Sequence, residues 1–450
     1  MDSVANLAAY EAKKQRLIAS LQLQSDQSIR LVKDTSNLFR ERKPIHGTGL
    51  NVRHFNQVIS VDPEAGIVEV EGMTPYENLA RECLKFGVMP TVVPQLKSIT
   101  IGGAVTGIGI ESSSFKYGLV HETVQEVDIL LADGNTLTCT PGNEHRRLFF
   151  GFPNSYGTLG YALKLKINIV PVKPYVRLTH VRHHEAASYF ADIENRCNQN
   201  IDFIDGTVFS PGEYYLTIGE FVDSAPYTSD YTFKNIYYRS IRERESDYLQ
   251  VEDYIWRWDT DWFWCSQYIF AHNPIVRRLL GPKRLNSMTY TKIMRWNRKY
   301  NLAHNLDRLL GLHSEAVIQD VEIPLAHCPE FLKFYFNTIK FTPLWVCPIR
   351  PLDNNATFSL FPMDQNATYV NFGFWNVIKS RKKMGPGHFN RLVEQKVSEL
   401  HGMKSLYSDA YYSAEEFWDI YNKDEYFYLK NRYDPLGKFK DLYAKCVLHE

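Results

Sequence analysis

The segment 94–118, PQLKSITIGGAVTGIGIESSSFKYG, constrains this chain more than any other stretch. It carries five glycines (Gly102, Gly103, Gly107, Gly109, Gly118) and no charge between Lys97 and Glu111. Thr106, Ser112, Ser113 and Ser114 add hydroxyls to its second half. Backbone so poor in Cβ atoms can bring N–H groups onto an anion or a flat ring, or can simply pack closely as a buried turn. The common nucleotide motifs are missing. There is no GxxxxGK[ST], and neither this segment nor His46-Gly47-Thr48-Gly49 completes GxGxxG between a strand and a helix. A Rossmann domain is not what binds any nucleotide here.

Composition narrows the class. A chain of 450 residues exceeds what one core usually covers, which predicts two or three domains. The 51 Lys and Arg are balanced by 51 Asp and Glu, so a nucleic-acid partner is not expected. No run approaches the ~18 apolar residues that cross a bilayer. Asp2 precedes Lys13, Lys14 and Arg16, the reverse of a secretory signal, and a cytoplasmic location is expected. Seven cysteines without a CxxC favour reduced thiols, and no metal site is expected. Composition gives no argument for any particular oligomeric state.

Residues 1–200 hold 15 of the 62 aromatic residues, whereas 15 of the 25 glycines fall in the first 175. Backbone near a ligand suits the first part, and a broad apolar pocket suits the second. Pro171-Val172-Lys173-Pro174 marks the boundary. The predicted domains are 1–174, 175–400 and a C-terminal segment, 401–450. In the first, 57–62 and 67–71 read as strands joined by Pro63-Glu64-Ala65-Gly66. The stretch 74–86 reads as a helix with Thr74 at its N-cap, Pro75 in its first turn and Gly87 beyond its end. Asp133-Gly134-Asn135 turns 124–131 back onto 136–140. The alternation in 160–170 sets Tyr161, Leu163, Leu165, Ile167 and Ile169 against Lys164, Lys166 and Asn168, a half-buried strand. The fold class is α+β, without regular βαβ units.

Further pieces complete a pattern. LVKDTSNLFR at 31–40 is a polar loop, and GFPNSYGTLG at 151–160 leads into the alternating strand. This order resembles the PCMH-type FAD-binding domain of the vanillyl-alcohol oxidase superfamily. IGIESSSFKYGL, LLADGNTLTCTP, the Gly-Thr-Leu-Gly turn, PLWVCPI at 343–349 and LYSDAYYSAEEFW at 406–418 resemble the sterol Δ24-reductase family, from about residue 33 to the C-terminus. The resemblance implies an FAD domain, an α+β substrate or cap domain, and a last segment that returns to the flavin. It implies that Ser36 and Asn37 cradle the pyrophosphate. Thr100, Ile101, Gly102, Gly103, Gly107, Gly109, Ser112 and Ser113 would wrap the pyrophosphate and flavin edge. Lys116, Tyr117 and Gly118 would close that loop, and Gly157, Thr158 and Gly160 would line the other side. No His stands in 31–40 to tether the flavin, so FAD is expected to be non-covalent. Eukaryotic members of the family begin with a membrane span that this sequence does not show.

The implied reaction is reduction of a C=C bond in the side chain of a sterol or isoprenoid lipid, with NADPH as hydride donor. NADPH and substrate are expected to visit the flavin in turn. An isolated alkene must be protonated as hydride arrives, so an acid is required. The candidates are Glu111, Tyr407, Asp409 and Tyr411, against the alternatives that Glu111 caps a turn and the tyrosines only pack. Two other functions stay open: an FAD-dependent alcohol or sugar oxidase, whose flavin-proximal Lys has its nearest counterpart in Lys404, and a non-catalytic lipid-binding scaffold. Trp256, Trp258, Trp262 and Trp264, with basic pairs following, make 254–300 either a pocket wall or dimer core, or a peripheral membrane contact. His180 and His184 lack the glutamate of HExxH and are expected at the surface of a strand. Residues 4–21 read as an amphipathic helix without chemistry.

Overall fold

The computed structural model describes residues 3–22, 28–34, 39–40, 48–300, 307, 309–352 and 357–450. Sixteen strands are described. In the N-terminal part they are β1 (Ile29–Val32), β2 (Thr48–Asn51), β3 (Val58–Asp62), β4 (Ile67–Glu71), β5 (Val88–Pro90), β6 (Val124–Leu130), β7 (Thr136–Cys139) and β8 (Tyr161–Pro171). Then follow β9 (Tyr175–His183), β10 (Phe203–Ser210), β11 (Glu213–Val222), β12 (Ser246–Gln250), β13 (His313–Pro324), β14 (Leu344–Ile349), β15 (Tyr369–Ser380) and β16 (Met403–Lys404).

β1 and β2 form a small parallel pair. The first large sheet runs β3-β4-β8-β6-β7, with β5 also on β8. The two hairpins form as the turns dictate: β3 pairs antiparallel with β4, and β6 with β7. The helix Tyr76–Leu84 starts one residue later than its sequence predicts. Pro75 takes the cap position and Thr74 donates its hydroxyl to the Gln57 carbonyl instead, at 3.3 Å. β8 is buried more fully than a half-buried strand, because the helix Ser3–Gln22 covers part of it. Lys164 is drawn into an ion pair with Glu69, and Tyr10 donates to Asp128 at 2.8 Å on the same side.

Between β8 and β9 the polypeptide passes to the second sheet, β12-β9-β11-β10-β14-β15-β13-β16, in which every pairing is antiparallel. Period-two alternation separates its faces. Val370, Phe372 and Phe374 of β15 pack under the helices Ala186–Cys197, Cys328–Thr338 and His388–Glu399. Asn371, Gly373 and Trp375 point the other way, towards the glycine-rich segment of the first lobe. The final residues tie the lobes together: β16 joins the second sheet, while Lys430 donates to the Thr158 carbonyl in the first lobe at 2.9 Å.

Candidate active site

A cleft lies between the two sheets as two adjoining cavities of about 310 and 210 Å³, which share Lys33, Gly103, Thr106 and Tyr156. Its floor is the short helix Ile101–Thr106. Thr100 caps this helix, accepting from the Gly103 N–H at 3.3 Å. Two adjacent glycines there do different work. A Cβ at Gly102 would stand 2.7 Å from the Gly72 carbonyl oxygen, so its absence seats the helix on the sheet. A Cβ at Gly103 would meet only the Thr100 hydroxyl, so its absence leaves the cleft floor bare.

The larger cavity is cationic. Among the described residues Arg30, Lys33, Arg40, Lys438, Lys440 and Lys445 line it, opposed by Glu450. Arg40 is 2 % exposed. Its guanidinium donates to the Leu406 carbonyl and to Cys446 Sγ, lies 4.8 Å over the Tyr156 ring, and leaves Nε without a partner. No carboxylate among the described residues pairs with it. A buried cation without a counter-charge is costly, and an anionic ligand removes that cost. A diphosphate against bare backbone fits these residues, which satisfies what FAD requires of this end.

The smaller cavity is aromatic. Phe263 stacks on Trp375 with ring centroids 4.4 Å apart, and Phe39 on Trp262 at 5.4 Å. Into this wall β13 brings Asp320 opposite Gly373 of β15. A Cβ at Gly373 would fall 2.5 Å from Asp320 Oδ1, so glycine there gives the carboxylate its room. Asp320 accepts from Asn371 Nδ2 at 3.1 Å and from the Tyr407 hydroxyl. The Tyr407 oxygen in turn accepts from Trp375 Nε1 at 3.0 Å. Burial raises the Asp320 carboxyl to about 6, against which its hydrogen bonds with Asn371 and Tyr407 work. Burial and the neighbouring Asp320 charge push the Tyr407 hydroxyl well above its usual value. Gln95 also faces this chamber, with its amide nitrogen unpartnered.

Of the predicted cofactor residues, Thr100, Gly102, Gly103, Gly107, Gly109, Gly157 and Gly160 line the cleft, and of the predicted acids only Tyr407 does. Ser36 and Asn37 lie outside the described residues. The remainder point elsewhere because the segment turns after Ile110 into the contact between lobes. Glu111 is buried against Arg257 at 2.9 Å; burial raises its carboxyl and Arg257 opposes that. Ser112 hydrogen-bonds the Tyr254 hydroxyl at 2.9 Å, and Ser113 donates to the Thr91 carbonyl at 2.7 Å. Lys116 pairs with Asp202 at 3.2 Å, Tyr117 packs on the core, and Gly118 ends the helix Ser114–Tyr117 at positive φ. Ile101 is fully buried, and Thr158 donates to the Ser155 carbonyl at 2.8 Å. Asp409 stands 3.9 Å from His449, and the Tyr411 ring packs against Gly387 while its N–H donates to Glu394.

Residues that the sequence did not single out supply much of the site: Arg40, Tyr156, Asp320 and Trp375. Trp262 walls the chamber, whereas Trp256, Trp258 and Trp264 are buried in the core. His180 is buried rather than superficial, with Nδ1 at 2.9 Å from the Thr217 hydroxyl.

An α+β fold with an anion-accepting cleft floored by bare backbone defines an FAD-dependent oxidoreductase, and residues 11–140 match the FAD binding domain family. Relatives extend over most of the sequence. It is 30 % identical over 412 residues to the Delta(24)-sterol reductase of Rattus norvegicus, covering 86 % of this protein and 75 % of that one. The human Delta(24)-sterol reductase is 29 % identical over 420 residues with the same coverage, and that of Arabidopsis thaliana 23 % over 434 residues, 88 % and 76 %. The chain belongs to the Delta(24)-sterol reductase family.

Proposed function

We propose that this protein holds FAD without a covalent tether and reduces a C=C bond in the side chain of a sterol or similar isoprenoid lipid, with NADPH as hydride donor. One observation carries the reading: a single cleft joins a buried cation, unpaired with any carboxylate among the described residues, to an aromatic chamber containing the Asp320–Tyr407 pair. FAD, when bound, supplies a two-electron carrier between nicotinamide and alkene. Arg40, Lys33 and Lys445 hold its diphosphate, with Ser36 and Asn37 in the adjoining loop, and the glycines from Gly102 to Gly109, Gly157 and Gly160 leave room for it. The absence of His from 31–40 supports a cofactor kept by contacts alone. Residues 1–174 then serve the cofactor, 175–400 the substrate as a cap domain, and 401–450 bring Tyr407 to the junction.

The protein's own part is proton delivery. Hydride to one alkene carbon requires a proton at the other, and an isolated alkene is a very weak base. Tyr407 faces the chamber but is alone too weak an acid. With Asp320 protonated, the bond between them reverses: Asp320 donates to the Tyr407 oxygen, and the phenolic proton turns to the alkene. As that proton leaves, the Asp320 proton replaces it, and the Trp375 N–H eases the charge developing on the phenolic oxygen.

The oxidase reading expects its flavin-proximal lysine at the chamber. Lys404 instead pairs with Glu394 at 2.6 Å and donates to the Asp409 carbonyl, which favours the reductase. The deciding experiment is anaerobic mixing of the yellow protein with NADPH and then desmosterol. Bleaching by NADPH and recovery of colour with desmosterol are expected. Bleaching by a polyol with desmosterol inert assigns an oxidase, and colourless protein leaves only a scaffold.

A further inference from the structure

We infer that the helices Pro274–Leu280 and Ser287–Tyr300 dock on a lipid bilayer bearing anionic headgroups. Among the described residues, ten of the nineteen large hydrophobic side chains left exposed fall within 268–310. They are strongly exposed and regularly placed. Ile275 (72 %) and Leu279 (76 %) stand one turn apart on the outer face of the first helix. Ile293, Trp296 and Tyr300 follow at helical spacing on the second, with the Trp296 and Tyr300 rings 5.6 Å apart. Phe270 (69 %) precedes both helices. Large apolar side chains exposed in such number on two successive helices mark an interaction site.

Charge selects the partner. Residues 268–300 hold eight Lys and Arg and no Asp or Glu, in a protein whose net charge is zero. Among the described side chains of these eight, only Arg277 is buried, against Asp261 at 2.7 Å, while Arg278, Lys283, Arg284, Lys292 and Arg295 are exposed. Apolar and aromatic side chains flanked by cations alone suit an anionic membrane surface. A second copy of the same surface would bring like charges together, which disfavours a symmetric dimer there. The surface follows in sequence directly on the chamber wall. Trp262 and Phe263 of the preceding stretch wall the aromatic chamber, and the Tyr268 hydroxyl donates to the Trp375 carbonyl at 3.2 Å. The docking claim stands on the surface and does not require the proposed reaction.

Co-sedimentation of the full-length FAD-loaded protein with vesicles tests it. Vesicles of phosphatidylcholine with about 30 mol% phosphatidylserine are expected to bind roughly tenfold more protein than phosphatidylcholine alone, with the difference lost at high salt. The double substitution Ile275→Asp, Leu279→Asp is expected to abolish binding while flavin content and circular dichroism stay unchanged. Wild-type protein that remains in the supernatant, or vesicle binding unaffected by the double substitution, overturns the inference. So does a wild-type dimer that ignores vesicles and becomes monomeric in the variant, which assigns the surface to a second copy.

Discussion

Asp320 and Arg40 are unremarkable where they stand in the sequence. Asp320 is one polar residue in the alternating strand β13, and Arg40 ends a loop that reads as polar linker. Only register opposite Gly373 places the first in the chamber, and only contacts with Leu406 and Cys446 bury the second. The motif residues Glu111, Ser112 and Ser113 drew notice instead because they sit among glycines. Two expectations follow at this scale. Asp320 must be protonated to feed Tyr407, and its carboxyl is raised to about 6. Alkene reduction is therefore expected to be full below about pH 6 and to fall about tenfold per unit above it. Asp320→Asn should remove that limb and, like Tyr407→Phe, lower kcat for the alkene by about 10²–10⁴-fold. In neither variant should the rate of flavin bleaching by NADPH change, as stopped-flow absorbance would report. Arg40→Met removes this buried cation. Equilibrium dialysis should show FAD held at least roughly tenfold more weakly, since a charge-assisted bond to phosphate is worth about 1.5–3 kcal/mol.

Elements were legible where a period or a turn residue decides them. The two hairpins and β8 follow from alternation and from the Asp-Gly and Ala-Gly turns, because pleat and turn chemistry act locally. What each glycine does is not local. Gly102 and Gly103 are neighbours of the same type, yet a Cβ on one would meet the Gly72 backbone carbonyl and on the other only the Thr100 side-chain hydroxyl at the cleft floor. Gly102→Ala is expected to destabilise the fold by about 1–3 kcal/mol through overpacking against backbone. Gly103→Ala should leave the denaturation midpoint nearly unchanged and weaken FAD retention. Denaturant unfolding with flavin fluorescence, run on both variants, separates the two effects; equal midpoints would remove the distinction drawn here. The extra burial of β8 needed the N-terminal helix laid across it, a partner about 140 positions earlier that no strand pattern announces.

At the scale of the molecule, the glycine and aromatic gradients divide the sequence into a glycine-rich first part and an aromatic-rich second part. The joint between the lobes was hidden, since its members come from four distant places. Arg257 bridges Glu111 of the glycine segment and Asp205 of β10, at 2.9 and 2.8 Å, and Trp258 and Trp345 both donate to Asp205. Removing one partner of such a buried network strands the others. Arg257→Met is therefore expected to cost about 3–5 kcal/mol in denaturant unfolding. Adding Glu111→Gln to that variant should restore part of the loss, which a double-mutant cycle would measure. The Arg40 contacts set a further order of events. The guanidinium is positioned by residues 406 and 446, so on the proposed reading the cation that meets the diphosphate is set only when the last segment folds back. Capture of the dinucleotide is then expected as a finishing step of biosynthesis, and polypeptides truncated before residue 446 should be released from the ribosome pale.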